Sequence, residues 1–314
     1  MLNLDSAAVA ATLPYAELIA ALNAAFASEV EAPVRAHHEV PVPDGTAGNL
    51  LLMPAWRQGG SMGVKVVTVF PDNASHGAPA VFGTYLLMSA ETGVPVAILD
   101  GTELTVRRTA AASALASAYL SRKDSRRLLM IGTGNLAPHM VLAHATARPI
   151  EKVAVWGRRR EAAERLVTLL AGADFDVVVE EDLERGIREA DIISSATLAA
   201  APLIRGEWLS AGQHVDLVGA FRPDMREADD EALRRAEVFV DTRAGALAEA
   251  GEILQGLQSG ALVEADIRAE LRELCTASAP GRESSESITL FKSVGTALED
   301  LAAAELAVRN HTTG

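Results

Sequence analysis

Two kinds of residue in this 314-residue sequence have the types and spacing to do chemistry: glycines that would admit a phosphate, and cations that would hold an anion. Gly132-Thr133-Gly134-Asn135-Leu136-Ala137 reads G-x-G-x-x-A and follows an apolar run, Leu128-Leu129-Met130-Ile131. Gly132 allows a tight turn and Gly134 lets the backbone approach a pyrophosphate. Asn135 and Leu136 open a helix whose N-terminus offers N–H groups and partial positive charge. A second strand, Lys152-Val153-Ala154-Val155-Trp156, completes strand, turn, helix and strand, the dinucleotide-binding unit. Where such a unit would place an Asp or Glu for the ribose 2′-OH, this sequence has Gly157 and then Arg158, Arg159 and Arg160. A guanidinium suits a 2′-phosphate, which favours NADPH while leaving NADH usable. The blander alternative is that these arginines begin a solvated helix and pair with Glu161 and Glu164.

Beyond the glycine turn, the segment 191–197 reads as the fourth strand of a doubly wound sheet, and ligands bind outside the carboxyl ends of such strands. Thr197 is therefore placed to touch the cofactor. The segment 214–220 is a further strand, ending in Val218, Gly219 and Ala220, where a backbone without bulk could approach the nicotinamide. Lys65 stands in the middle of an apolar strand, Gly63 to Phe70. A buried ammonium is costly unless paired or used, but alternation with Val64 and Val66 equally permits a solvent-facing side chain, and pattern alone leaves both readings open.

The elements that must position these residues alternate in two styles. Residues 7–30 carry apolar positions at helical spacing, with Pro14 in a first turn. Residues 32–40 fit an edge strand, on which His37 and His38 point to opposite faces and cannot chelate one metal. Strands over 49–53, 63–70, 80–89 and 95–99 form an antiparallel meander. Thr105-Val106-Arg107-Arg108-Thr109 leads into a helix over 110–120. After the glycine turn come helices over 160–170, 183–189 and 227–236, strands over 176–179 and 237–241, and a helical region over 245–275. A strand at 288–295 turns into an Ala-rich helix, 296–308, that returns to the first domain. The predicted class is α/β. A Rossmann domain over 116–295 accompanies an antiparallel α+β substrate and dimerisation domain over 1–115 and 296–314.

Composition narrows the partners. A formal net charge of −14 repels nucleic acid and anionic membranes and makes any local cation on an anion site informative. One cysteine, Cys275, excludes an internal disulfide and a Cys-rich metal centre, and no metal site is expected. No apolar run reaches the roughly 18 residues of a membrane span, and the N-terminus lacks a signal peptide's pattern, so a cytoplasmic location is expected.

Read together, several ordered motifs resemble the ornithine cyclodeaminase/mu-crystallin family over about residues 30 to 305. They are Gly63-Val64-Lys65 with Pro71-Asp72-Asn73, Asp100-Gly101 with Arg108-Thr109-Ala110-Ala111, and the glycine turn. Val218-Gly219-Ala220 with Pro223 and Arg226-Glu227, and Lys292-Ser293-Val294-Gly295 with Glu299-Asp300-Leu301, complete the set. The resemblance implies a homodimer built through the antiparallel domain, and a small α-amino or α-imino acid bound between the two domains. It implies that Arg35, Lys65 and Arg108 hold the substrate carboxylate, with Arg108 also near the cofactor and Val294 and Gly295 near the substrate. Lys65 would deliver a proton to the reacting nitrogen, directly or through a water.

One departure matters. Cyclodeaminases of this family carry an aspartate after the glycine pair, and here that position is Phe221. A phenyl ring cannot accept a proton or polarise a water, and would instead be an apolar wall. The stretch from Val218 to Glu227 therefore resembles the ketimine-reductase side of the family, which reduces 1-pyrroline-2-carboxylate to L-proline and often the six-membered homologue to L-pipecolate. An amino-acid dehydrogenase, a true cyclodeaminase and a non-enzymatic ligand-binding protein are the alternatives, in that order.

Overall fold

The computed structural model describes residues 1–43 and 45–313. The chain divides into two compact units, Met1–Arg108 with Thr296–Gly314, and Thr109–Gly295. The division falls after Arg108, inside the helix Gly101–Leu120, whereas the expected boundary after residue 115 lies further along the same helix.

The first unit is a six-stranded sheet of β1 (Leu2–Leu4), β2 (Ala36–Val40), β3 (Gly48–Trp56), β4 (Ser61–Val69), β5 (Val81–Ser89) and β6 (Pro95–Asp100). Their order is β1-β6-β5-β4-β3-β2, with β2 to β6 antiparallel and β1 parallel to β6. Strand alternation sorts the side chains into two faces. Met53, Ala55, Lys65, Tyr85, Leu87, Ala97 and Leu99 are buried, and the helix Ala297–Thr313 packs over β3, β4 and β5. Residues of the other parity, Leu52, Val64, Val66, Leu86 and Ile98, are half-buried.

The second unit holds eight parallel strands: β7 (Arg127–Ile131), β8 (Lys152–Trp156), β9 (Asp176–Val179), β10 (Ile192–Ser195), β11 (His214–Leu217), β12 (Ala236–Val240), β13 (Ile267–Glu270) and β14 (Ile288–Lys292). The order is β13-β12-β14-β11-β10-β7-β8-β9. From β7 the chain winds outward through β8 and β9 on one side, and through β10 and β11 on the other. That reversal is the topological switch point of a Rossmann sheet. Leu129, Ile131, Ile193, Val215, Leu217 and Leu290 fill its core.

Several elements differ from expectation, each for a local reason. The helix expected over 7–30 is two helices, Ser6–Thr12 and Tyr15–Phe26, because Pro14 caps the second instead of sitting within a turn. The helix expected from residue 110 begins at Gly101, since the Asp100 carboxylate accepts the Glu103 amide at 2.7 Å and starts it there. Thr105 and Arg108 are thus helical, one turn apart. The region over 245–275 is not wholly helical. It contains β13, whose only pattern is buried Ile267 and Ala269 around exposed Arg268. The helix expected over 227–236 is only Asp230–Arg235. β1 was not anticipated at all. Among the described residues no single helix is long and apolar enough to cross a membrane.

Candidate active site

In the first unit, four charged side chains meet under the helix Ala297–Thr313. Lys65 lies on the helix-facing side of β4 at 1% exposure, which decides between its two readings. Its Nζ is 2.9 Å from Asp300 Oδ1 and donates to Thr105 Oγ1 at 3.2 Å. Arg108 donates from Nη1 to Glu299 Oε2 at 2.5 Å, and its Nε lies 2.9 Å from Asp300 Oδ1. Glu299 and Asp300 are fully buried in the first turn of their helix. Two cations therefore face two carboxylates, and Asp300 is shared.

Burial pulls the Lys65 ammonium down to about 8; the Arg108 and Arg35 charges add to this and Asp300 opposes it. A lysine so placed is largely protonated at neutral pH yet can release its proton, as a general acid must. Tyr85, paired with Lys65 across β4 and β5, is buried, and burial with the Asp300 charge holds its phenol well above the usual range. It stays neutral. The structure thus brings Lys65 and Arg108 together, with Arg35 within electrostatic reach. Glu299 and Asp300 stand in one of the family motifs, but the sequence alone assigns them no work. The available signal was that two cations in an apolar domain need carboxylates, and an adjacent Glu-Asp pair inside an Ala-rich helix is where to look.

In the second unit the glycine turn fits a pyrophosphate. Gly132 has φ +116°, and a Cβ there would sit 2.7 Å from the Ala196 carbonyl, so glycine is required. A Cβ at Gly134 would meet no protein atom within 4 Å, which leaves the backbone open to a ligand. Leu136 begins the helix Ala137–Ala147 without a side-chain cap, and Asn135 is exposed beside it. These are the features that let a helix N-terminus take an anion. A Cβ on Gly157 would lie 2.7 Å from Thr133 Cγ2, so the end of β8 packs on this turn. Beyond it Arg158 and Arg159 are exposed, whereas Arg160 pairs with Glu164 at 2.8 Å and with Glu181. The solvated-helix reading holds for Arg160.

Thr197, Val218, Gly219 and Ala220 gather at the carboxyl ends of β10 and β11. Gly219 is a glycine for a reason within the fold as well. Its Cβ would lie 2.0 Å from the Thr197 carbonyl and 2.6 Å from the Glu227 carboxylate, so the protein's own packing demands the glycine. Ala220 adopts φ 49°, turning the chain beyond the strand. Val294 and Gly295 donate their amides to Asp241 Oδ2 at 2.8 and 2.6 Å. Phe221 is 43% exposed. Burial raises the Cys275 thiol to about 11, which suits an inert side chain. Among the described residues no group of three or more His, Cys, Asp or Glu could hold a metal.

The profile of the ornithine cyclodeaminase/mu-crystallin family matches residues 2–314. A delta(1)-pyrroline-2-carboxylate reductase of Colwellia psychrerythraea is 40% identical over 305 residues, 94% of this chain and 95% of that one. The solved structure of Thermococcus litoralis delta(1)-pyrroline-2-carboxylate reductase, in complex with NADH and L-proline, is similar at TM-score 0.93 and 33% identity. It covers all of this chain and 98% of its own. An archaeal alanine dehydrogenase dimer with bound NAD is similar at TM-score 0.92 and 30% identity, over 100% of this chain and 96% of that one.

Proposed function

The chain belongs to the ornithine cyclodeaminase/mu-crystallin family, and from that premise we propose that it reduces cyclic ketimines, 1-pyrroline-2-carboxylate to L-proline and 1-piperideine-2-carboxylate to L-pipecolate. The observation that carries the reading is the buried Lys65, Arg108, Glu299 and Asp300 cluster, which keeps a protonated amine with a tuned pKa beside a guanidinium. Relatives named as reductases of such imines support the enzyme class.

A reduced nicotinamide, when bound, would supply the hydride that adds to the imine carbon and converts C=N to a single bond. Arg108, with Arg35, holds the substrate carboxylate, an anion that an acidic protein must meet with local cations. Lys65 Nζ supplies the proton at the imine nitrogen, so that hydride and proton together give the amine. Asp300 holds Lys65 in its charged form, and Thr105 fixes its direction. Phe221, exposed and apolar, offers no base to activate a water, which argues against the deaminating reaction.

Arg158 and Arg159, exposed past the end of β8 where no carboxylate stands, support NADPH, with NADH also accepted. The half-buried apolar face of the first unit's sheet supports a homodimer built through it. The test is loss of reduced-nicotinamide absorbance with the purified protein, each imine, and NADPH or NADH. Turnover with proline or pipecolate as product is expected. Silence with both imines but activity with pyruvate and ammonia, or with ornithine, would replace the reading with a dehydrogenase or a cyclodeaminase.

A further inference from the structure

Among the fully buried charged residues of the second unit with no place in the chemistry above are Glu227, Glu252 and Lys292. Lys292, the last residue of β14, has Nζ 3.0 Å from Glu252 Oε2 and donates to the Gly219 carbonyl. Glu252 Oε1 accepts the Glu227 amide at 2.6 Å. Glu227 Oε1 in turn accepts three hydrogen bonds: from Ser195 Oγ at 2.6 Å, from the Thr197 amide at 2.7 Å and from Thr197 Oγ1 at 2.8 Å. The chain of contacts ends on the carboxyl termini of β10 and β11.

That end of the sheet has a defined meaning. In a doubly wound sheet, the two mononucleotide halves of a dinucleotide lie on either side of the switch point. The glycine turn after β7 and the arginines after β8 belong to the adenosine half, which leaves β10 and β11 for the nicotinamide half. We propose that Glu227, held by Glu252 and Lys292, is a positioning residue that fixes Thr197 and Gly219 as the seat of the nicotinamide. The inference rests on the nicotinamide cofactor proposed above.

Thr197 is gripped on three sides. Its amide and hydroxyl go to one carboxylate oxygen, and its carbonyl fills the space a Gly219 side chain would need. Gly219 is drawn inward by Lys292 through its own carbonyl. What Glu227 provides is an acceptor at a fixed point, not a charge. Burial pushes its carboxyl up to about 7 against the pull of the Lys292 ammonium, so at neutral pH it is readily neutral, and Oε1 accepts in either state. A buried, shared acceptor that orders two strand ends is costly to lose, because its donors are then left unpaired.

The test compares E227D, which withdraws the acceptor by one methylene, with E227Q, which keeps an oxygen able to accept the same three donors. Dissociation constants of NADH, NADPH and ADP-ribose are measured by calorimetry on the full chain without imine. ADP-ribose has the adenosine half and no nicotinamide. E227D is expected to bind the tighter dinucleotide roughly tenfold more weakly, about the worth of one hydrogen bond, with ADP-ribose unchanged. E227Q should stay within about threefold of wild type on all three. Should E227D not fold, T197V removes one of the two Thr197 donors and is expected to give the same ligand-selective loss. Equal losses for dinucleotide and ADP-ribose, or E227Q weaker than E227D, would overturn the assignment. A wild-type protein that binds ADP-ribose but gains nothing from the nicotinamide would overturn it too. Imine turnover does not enter these readouts, so failure of the substrate reading shows itself separately.

Discussion

Replacing Asp300 by asparagine tests the central electrostatic argument. Asp300 touches both cations, at 2.9 Å from Lys65 Nζ and 2.9 Å from Arg108 Nε. With it in place the Lys65 ammonium titrates at about 8, so at pH 7.5 roughly three quarters of the molecules carry the proton. An opposite charge at this distance is worth roughly 1–3 pKa units. Its loss should bring Lys65 to about 6, leaving only some 3% protonated at pH 7.5. Turnover at saturating imine and cofactor is then expected to fall roughly 25-fold at pH 7.5 and to recover as pH is lowered toward 6. The assay is kcat between pH 5.5 and 9.5 for wild type, D300N and K65M. Wild type should lose activity above about pH 8, D300N should show the same limb displaced to acid, and K65M should be impaired throughout. D300N should also melt earlier, since removing one partner of a buried pair costs about 3–5 kcal/mol. A descending limb that stays in place in D300N, or a loss that acid does not restore, would refute the role given to Lys65.

Burial holds the His214 ring down at about 3, below its ordinary 6.5, so the unfolded chain takes up a proton that the folded one refuses. Stability from this group is complete above pH 6.5 and is lost as pH falls toward 3. At pH 5 the loss is about 2 kcal/mol, and urea unfolding of H214N should show a correspondingly shallower decline between pH 7 and 5. A decline as steep as that of wild type would count against the assignment. Removing both exposed guanidinia, R158A with R159A, should lower kcat/KM for NADPH roughly tenfold and leave NADH unaffected. Equal effects on the two cofactors would remove the 2′-phosphate role. Gly219→Ala places a methyl 2.0 Å from the Thr197 carbonyl, and overpacking of this kind costs about 1–3 kcal/mol. Its urea midpoint should drop accordingly, and an unchanged midpoint would show that the strand ends yield.

What the sequence determined by itself was everything whose cause is local. β8 and β9, and the helices Arg160–Leu170 and Leu183–Glu189, run over the residues expected, because β-branched runs and helical spacing act within a few residues. The glycine turn was equally plain, since Gly132 answers to a backbone angle that glycine alone meets easily. The weak elements, β1 and β13, are three or four residues long and exist only because a neighbouring strand receives them. Nor did local pattern show that Asp100 would start a helix nine residues early and carry Arg108 onto it.

The charge pairing of the site was beyond sequence for a physical reason. Alternation put Lys65 on one face of β4 but could not say which face would be covered. Only the return of the helix Ala297–Thr313 covered it, and that helix brought Asp300 from 235 residues away and Glu299 from 191 residues beyond Arg108. Gly219 was recognised as a residue that must be small, yet the cause lies in Thr197 and Glu227, which meet it only across strand ends. A side chain's period and propensity are written beside it in the chain. The partner that makes a buried charge tolerable is set by tertiary packing, and only the folded protein names it.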